Sequence, residues 1–383
     1  MKQKKRIEWL DGLKGLACML VFAHHYMLAY FSAAYFGLER ESRLRGIDTY
    51  LSTSPLGVFL NGNFQVCIFL LIAAFLPAKQ IMECKKENLK QVAGKMLLKR
   101  YPRLLIPVFS VGALNLIIIA IVDFFGINFK PVVVPYDTWP YLLHSMYDVF
   151  LVPESGLVGP MWSISYIFLG SIMAIVLAIP AEKERKYMPL AYLLIARALC
   201  RQIMLFMPCV LGVFLADLIV NERIKFSISR RWKIIRAIAL IGGGLFLGGY
   251  PSYVKPKNIY SIFDFIIKNM EQHESQYVVF HAIGAALLFL GIYLWNEAGL
   301  FSVLSTKLFT FLGSISFGVY LLHMVWLEFL GHYGMETLNV KLGTYAKAAC
   351  IVWPILVLGT ILSAILFRQI VEKPAEKLLS KIV

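Results

Sequence analysis

Ten blocks of apolar residues, most of them long enough to cross a bilayer as a helix, constrain this chain more than any other feature. They run over 13–31, 59–77, 104–125, 157–180, 187–200, 203–220, 234–250, 277–295, 308–330 and 344–367. Within hydrocarbon every backbone N–H and C=O must be bonded inside the protein, so blocks of this kind fold as helices. The composition agrees: 59% of residues are hydrophobic, 16% are charged, and the mean hydropathy is +0.68. A soluble domain of this length carries far more surface charge. The expected fold is all-α, a polytopic transmembrane bundle of about ten spans forming one integral-membrane domain over 1–383. The fifth block is the weakest, broken by Pro189 and crowded by Arg197 and Arg201, and eight or nine spans is the competing count.

The net charge of +15 follows the blocks. Basic residues cluster in the opening MKQKKR, in 79–103, at 183–186 and in 222–236, whereas 123–156 sets Asp123, Asp137, Asp148 and Glu154 against Lys130 alone. That alternation is the positive-inside pattern and predicts that both termini are cytoplasmic. The excess charge then reports topology and anionic membrane lipid, and no nucleic-acid partner is expected. Six cysteines lie mostly in apolar blocks without CxxC spacing, which reads as buried small hydrophobes. The first apolar run outlasts a signal-peptide core and lacks a small-residue cleavage site, so it is expected to be retained as a span.

Polar residues inside such blocks are costly and mark functional sites by default. The sharpest pair is Lys14 and His25 in WLDGLKGLACMLVFAHHY. Eleven residues of helix turn through about 1100°, close to three full turns, and rise about 16 Å, so both side chains line one stripe. His24 lies about 80° off that stripe and ranks below His25. Arg100 and Arg103 stand i, i+3 before Pro107, where snorkelling interface anchors are the plainer account. Trp162, Ser163 and Tyr166 open the fourth block, and Ser314, Ser316, Tyr320 and His323 run along the ninth. For these, interfacial belts and small-residue packing compete with function. Asp11, Asn61 and Asn63 admit helix-capping roles, and Glu372 a surface pair with Lys373 or Arg368. No HExxH, ligand cluster, P-loop or dinucleotide fingerprint occurs, so neither a metal nor a bound cofactor is expected. Gly242–Gly244 reads as close helix packing.

In order along the chain, RIEWLDGLKGLACMLVFAHH, VCIFLLIAAFL, KRYPRLLIP, GPMWSISYIF, SISFGVYLLH and VEKPAEKLL resemble the successive motifs of the acyltransferase-3 family of integral-membrane O-acyltransferases. The basic-x10-His spacing is kept as Lys14 to His25. Three departures mark a divergent member: Lys14 replaces the usual arginine and its planar fork, Ala73-Ala74 replaces an SG pair, and Tyr166 or Ile167 stands where an acidic residue is usual. The resemblance implies transfer of an acyl group, commonly acetyl, from acyl-CoA to a hydroxyl of a cell-surface glycan or lipid-linked saccharide, and the charge topology implies a plasma (cytoplasmic) membrane. It implies Lys14, Arg100 and Arg103 against the coenzyme A phosphates. It also implies His25 as general base or as an acylated intermediate, with His323 orienting the acceptor or polarising the thioester. Trp162, Ser163, Tyr166 and Tyr320 are the possible acceptor-binding residues. The Lys14–His25 separation is comparable to an extended pantetheine arm.

Two other classes compete. A secondary transporter or flippase of a sugar or lipid-linked substrate would use a buried histidine as a proton relay, but no inverted repeat is evident. A non-catalytic membrane partner would keep the fold without the chemistry. The outer stretches 126–156 and 251–276, with Tyr136, Asp137, Trp139, Tyr141 and Glu154, suit a carbohydrate cleft, and equally an ordinary interfacial segment.

Overall fold

A computed structural model describes residues 7–126, 138–153, 159–181, 185–199, 204–223, 229–253, 259–263, 265 and 276–382. The apolar blocks have become helices, and no strand occurs among the described residues. In chain order these are α1 (Glu8–Tyr30), α2 (Ala33–Phe36), α3 (Ile47–Thr53), α4 (Gly62–Met82), α5 (Leu89–Phe124), α6 (Thr138–Met146), α7 (Asp148–Leu151) and α8 (Ile164–Ala178). They continue as α9 (Met188–Leu199), α10 (Met207–Val220), α11 (Arg230–Gly248), α12 (Gln276–Glu297), α13 (Lys307–Trp326), α14 (His332–Leu342), α15 (Tyr345–Phe367) and α16 (Lys373–Ile382). The expected outer-loop residues Tyr136, Asp137 and Glu154 lie outside the described residues, as does the basic N-terminal stretch 1–6.

Among the described residues, six stretches are long and apolar enough to cross a membrane: Gly62–Met82, Lys86–Phe124, Met161–Ala178, Tyr277–Glu297, Lys307–Leu342 and Tyr345–Lys381. The other four blocks also form helices but fall short for two reasons. With 12 and 14 residues, α9 and α10 extend about 18 and 21 Å, against about 30 Å of hydrocarbon. Length is sufficient in α1 and α11, and polarity is the obstacle. Lys14, His24 and His25 dilute α1, and Arg230, Arg231, Lys233 and Arg236 fill the first two turns of α11.

Packing divides the chain into two compact units, each built from two stretches of sequence. The first takes the residues up to Leu89 together with Gly170–Ser314. Its helices meet through glycine. A Cβ on Gly244 of α11 would lie 2.6 Å from the Leu288 nitrogen and 2.8 Å from the Gly284 oxygen of α12, so these two backbones touch. Gly242, by contrast, faces open space. Phe289 of α12 joins the unit's aromatic core, its ring 5.2 Å from Trp9 and 4.6 Å from Phe75.

Between α1 and α4 the chain folds around one buried carboxylate. Asp48 accepts from Ser42 Oγ at 2.5 Å, and from the backbone N–H groups of Arg43 at 2.8 Å, Thr49 at 3.2 Å and Leu44 at 3.3 Å. Burial raises its pKa, but these four donors outweigh burial and leave it below the ordinary carboxylate value. A depressed folded-state pKa gives stability that is present above the unfolded value of about 3.9 and is lost as pH falls through the folded value. Asp48→Ala is therefore expected to cost about 1–3 kcal/mol near pH 7. In thermal unfolding of the solubilised protein, the gap from wild type should close as pH drops below about 4. A gap unchanged with pH would refute the charge-based account.

The second unit comprises Lys90–Leu169 and Ile315–Val383. Its longest helix, α5, has 36 residues and runs through Pro102 and Pro107, each of which removes one i→i−4 bond without ending the helix. Tyr101, Phe150 and Phe168 form an aromatic trio with centroids 5.2 to 5.9 Å apart. Trp326 packs on Gly359 and donates from Nε1 to Ser363 Oγ at 3.0 Å, joining α13 to α15. Helix α16 is amphipathic, with Ala375 and Leu379 buried and Lys377 and Lys381 exposed. Two π-helical turns interrupt this unit, at Leu327–Gly331 and Arg368–Glu372. Such turns insert a residue and occur frequently at functional sites.

Candidate active site

In the first unit the Lys14–His25 stripe survives intact, because α1 runs unbroken from Glu8 to Tyr30. Lys14 Nζ lies 2.7 Å from Asp11 Oδ1. Asp11 is thus one turn inside the helix, paired with Lys14, while Ile7 occupies the N-cap without a side-chain cap. An anion arriving at Lys14 has to compete with that carboxylate. The half-buried ring of His25 places Nδ1 3.0 Å from the Val21 carbonyl. A carbonyl only accepts, so Nδ1 carries the proton, and in the neutral ring Nε2 carries the lone pair. That is the tautomer a general base needs.

His24, its neighbour, is held differently. It is buried, its Nδ1 donates to the Leu60 carbonyl at 2.7 Å, and Gly62 presses against the ring so closely that a Cβ there would come within 2.3 Å of Cδ2. Its ring contacts those of His25 at 5.0 Å and Tyr35 at 4.9 Å, edge to face.

The polar residues leading into α4 do not cap it. Asn61 occupies the N-cap, yet its amide turns away to the carbonyls of Tyr250 at 2.9 Å and Gly248 at 3.3 Å, and to His281 Nε2 at 2.8 Å. Asn63 donates to the Tyr35 hydroxyl at 3.3 Å, and Gln65 to the Val58 carbonyl at 3.0 Å. Burial, together with nearby Tyr253, holds the Tyr35 phenol up at about 12, partly offset by hydrogen bonds from Asn63 and Ser252. Tyr35 therefore stays a neutral donor at physiological pH.

The second unit gathers most of the remaining residues singled out in the sequence. Ser163 Oγ and Tyr320 OH share a hydrogen bond of 2.6 Å. The Tyr320 ring lies 6.1 Å from that of His323, and Trp162 lies 6.1 Å from Tyr166, edge to face. Ser163, Tyr166, Tyr320 and His323 are all buried. His323 repeats the arrangement of His25, with Nδ1 3.1 Å from the Val319 carbonyl, so its lone pair is also on Nε2. Arg100 and Arg103 both stand on α5. Arg103 makes an exposed ion pair with Glu376 of α16 at 3.5 Å, a contact of little energetic weight.

Sequence reasoning passed over three ionisable groups of the same intramembrane kind. His281 is fully buried on α12. Asp217 of α10 is fully buried and met by Arg223 at 3.1 Å and by Asn221 at 2.5 Å, so its charge is balanced within the unit. Glu328 sits in the first π turn with Oε1 buried and unpartnered, as does the Oε1 of Glu372 in the second. Each of the three lies inside an apolar block, a signal that can be read from hydropathy alone.

Spanning helices with imidazoles and cations set into them define a multi-pass membrane protein whose interior carries acid–base groups. The chain belongs to the acyltransferase-3 family: the family's model, described as an acyltransferase domain, matches residues 7–368, nearly its whole length. It is a membrane acyltransferase. No curated protein and no solved structure matches the chain.

Proposed function

We propose that the protein moves an acyl group, acetyl in the first instance, from acyl-CoA to a hydroxyl of a cell-surface glycan or lipid-linked saccharide. The reading places it in the plasma membrane with both termini cytoplasmic and about ten spans. What carries it is the tautomer of His25 on α1: Nδ1–H is held by Val21, which leaves Nε2 as the base. In the reaction Nε2 takes the proton of the acceptor hydroxyl as its oxygen attacks the thioester carbonyl. The C–S bond then breaks, and the thiolate recovers that proton from the imidazolium to leave as free coenzyme A. Lys14, Arg100 and Arg103 supply positive charge for the donor's phosphates. His323 orients the acceptor or polarises the carbonyl, and Trp162, Ser163, Tyr166 and Tyr320 are the second unit's acceptor-side residues.

The test uses the purified protein in nanodiscs with acetyl-, butyryl- or palmitoyl-CoA. Release of free thiol is measured with and without a saccharide acceptor, and the saccharide is examined for a new base-labile ester. Thiol release that rises with acceptor, most strongly for acetyl-CoA, is the expected result. No release above empty nanodiscs with any donor, together with passage of unmodified saccharide across proteoliposomes, would replace this reading with transport.

A further inference from the structure

Helix α11 has one packed face and one open face. Ala237, Gly244 and Gly248 are buried. On that side Ala237 and Ile241 meet Gly291 of α12, and Gly244 meets Gly284 and Leu288. On the other side Ile235, Ile238 and Leu245 are 43%, 57% and 36% exposed, and nothing lies within 4 Å of a Cβ on Gly242. Together with the exposed Arg231, these positions follow the spacing i, i+4, i+7, i+11, i+14, which keeps them within about 80° of one another round the helix. From Ile235 to Leu245 the stripe rises about 15 Å, half the thickness of the hydrocarbon core and so the depth of one leaflet.

At the foot of the stripe, α11 begins with Arg230, Arg231, Trp232, Lys233 and, one turn on, Arg236. Arg230 donates from Nε to the Ala298 carbonyl at 3.1 Å, which ties it to the end of α12. Arg231 and Arg236 are exposed and Lys233 is half-buried. None of these three forms an ion pair among the described residues. Cations elsewhere are met, Lys14 by Asp11, Lys79 by Glu83, Arg103 by Glu376 and Arg223 by Asp217. Against Arg230, Arg231, Lys233 and Arg236 the last turn of α12 supplies Glu297, so the group stays positive. Trp232, 55% exposed, stands among them with the amphipathic ring favoured at the membrane–water boundary.

A soluble anion would satisfy the arginines and leave the apolar stripe directly above them bare. A zwitterionic lipid would cover the stripe and bring a cation of its own to the arginines. A lipid with a net negative headgroup meets both demands. We propose that this face of α11 is a binding site for one anionic glycerophospholipid. Its phosphate lies at Arg231, with Arg236 adding positive charge, and an acyl chain runs along Ile235, Ile238, Gly242 and Leu245. The site does not depend on the acyl-transfer reading, and on the topology proposed above it lies in the cytoplasmic leaflet.

Site-specific quenching in nanodiscs tests this. Bimane is attached to Ala239→Cys, beside the stripe, or as reference to Leu358→Cys on α15, which is also exposed. Cys84, Cys200 and Cys350 are replaced by serine in both. The bilayer is phosphatidylcholine with a minor share of nitroxide-tailed phosphatidylglycerol or nitroxide-tailed phosphatidylcholine, and the ratio of quenching gives the lipid preference at each label. Expected at low salt is a preference for phosphatidylglycerol of about 5- to 25-fold at Ala239→Cys and none at Leu358→Cys. Arg231→Gln should reduce the preference about 5-fold, and Arg231→Gln with Arg236→Gln should abolish it. Lys377→Gln with Lys381→Gln, on α16, should leave it unchanged. Equal quenching by the two lipids at Ala239→Cys overturns the anionic class. The same preference at both labels, a preference that survives the double arginine variant, or an equal loss in the α16 variant overturns the site. Should the double arginine variant fail to purify as a folded protein, Arg231→Gln alone decides.

Discussion

Replacing His25 with alanine should lower acyl transfer by about 10²–10⁴-fold, the range a positioned general base contributes. Membrane abundance should be unaffected, because the ring is only half-buried and its hydrogen bond to Val21 lies within its own helix. His24→Ala should cost less than about tenfold in the chemical step, since its ring is buried and wedged against Gly62 and Tyr35. The comparison is made on base-labile acyl groups of envelope glycans in cells carrying wild type, either variant or empty vector, at matched expression. Equal loss in the two variants would remove the helical-face argument. Acyl groups at wild-type level in all four, with the native glycan present, would remove the glycan assignment.

Gly12→Val is expected to prevent accumulation of folded protein. A Cβ at Gly12 would lie 1.8 Å from the Leu304 carbonyl oxygen, 2.6 Å from its carbon and 2.9 Å from its Cα. All three are backbone atoms, so no side chain can turn aside to make room. The approach is repeated close by, where a Cβ at Gly313 would meet the Asp11 oxygen at 1.9 Å. Overpacking of this severity belongs to the tail beyond about 4 kcal/mol, a large part of the stability of most proteins. Gly242→Val is the matched control, because nothing lies within 4 Å of a Cβ there. Membrane abundance and size-exclusion profiles measure both, and normal behaviour of Gly12→Val would show that α1 and residues 303–313 do not pack this tightly.

Much of the fold is legible in the sequence. Each of the ten apolar blocks contains or overlaps a helix, and the weak fifth block became the short α9, which starts at Met188 immediately before Pro189. The regular turn of α1 made the Lys14–His25 stripe readable as well. Less legible was what each polar group does. Asp11 and Asn61 sat where caps are common, yet one pairs with Lys14 and the other reaches carbonyls and a histidine about 190 to 220 residues away in sequence. Of Gly242–Gly244, Gly244 alone makes the close helix contact. Glu328 and His281 were visible as polar interruptions of apolar blocks, but nothing in the sequence tells an orphaned carboxylate from one with a partner, as Asp217 has.

Hydropathy and helical period are properties of neighbouring residues, and they suffice for the helices, the membrane setting and, through motifs in collinear order, the acyltransferase family. The partners of a side chain depend on how helices rotate and cross, which joins residues far apart in the chain. Tertiary structure alone therefore showed His24 buried and wedged against Gly62, beside a His25 ring that is only half-buried. It also joined Asn61 to Tyr250, Ser252 and His281, partners about 190 to 220 residues away in the sequence.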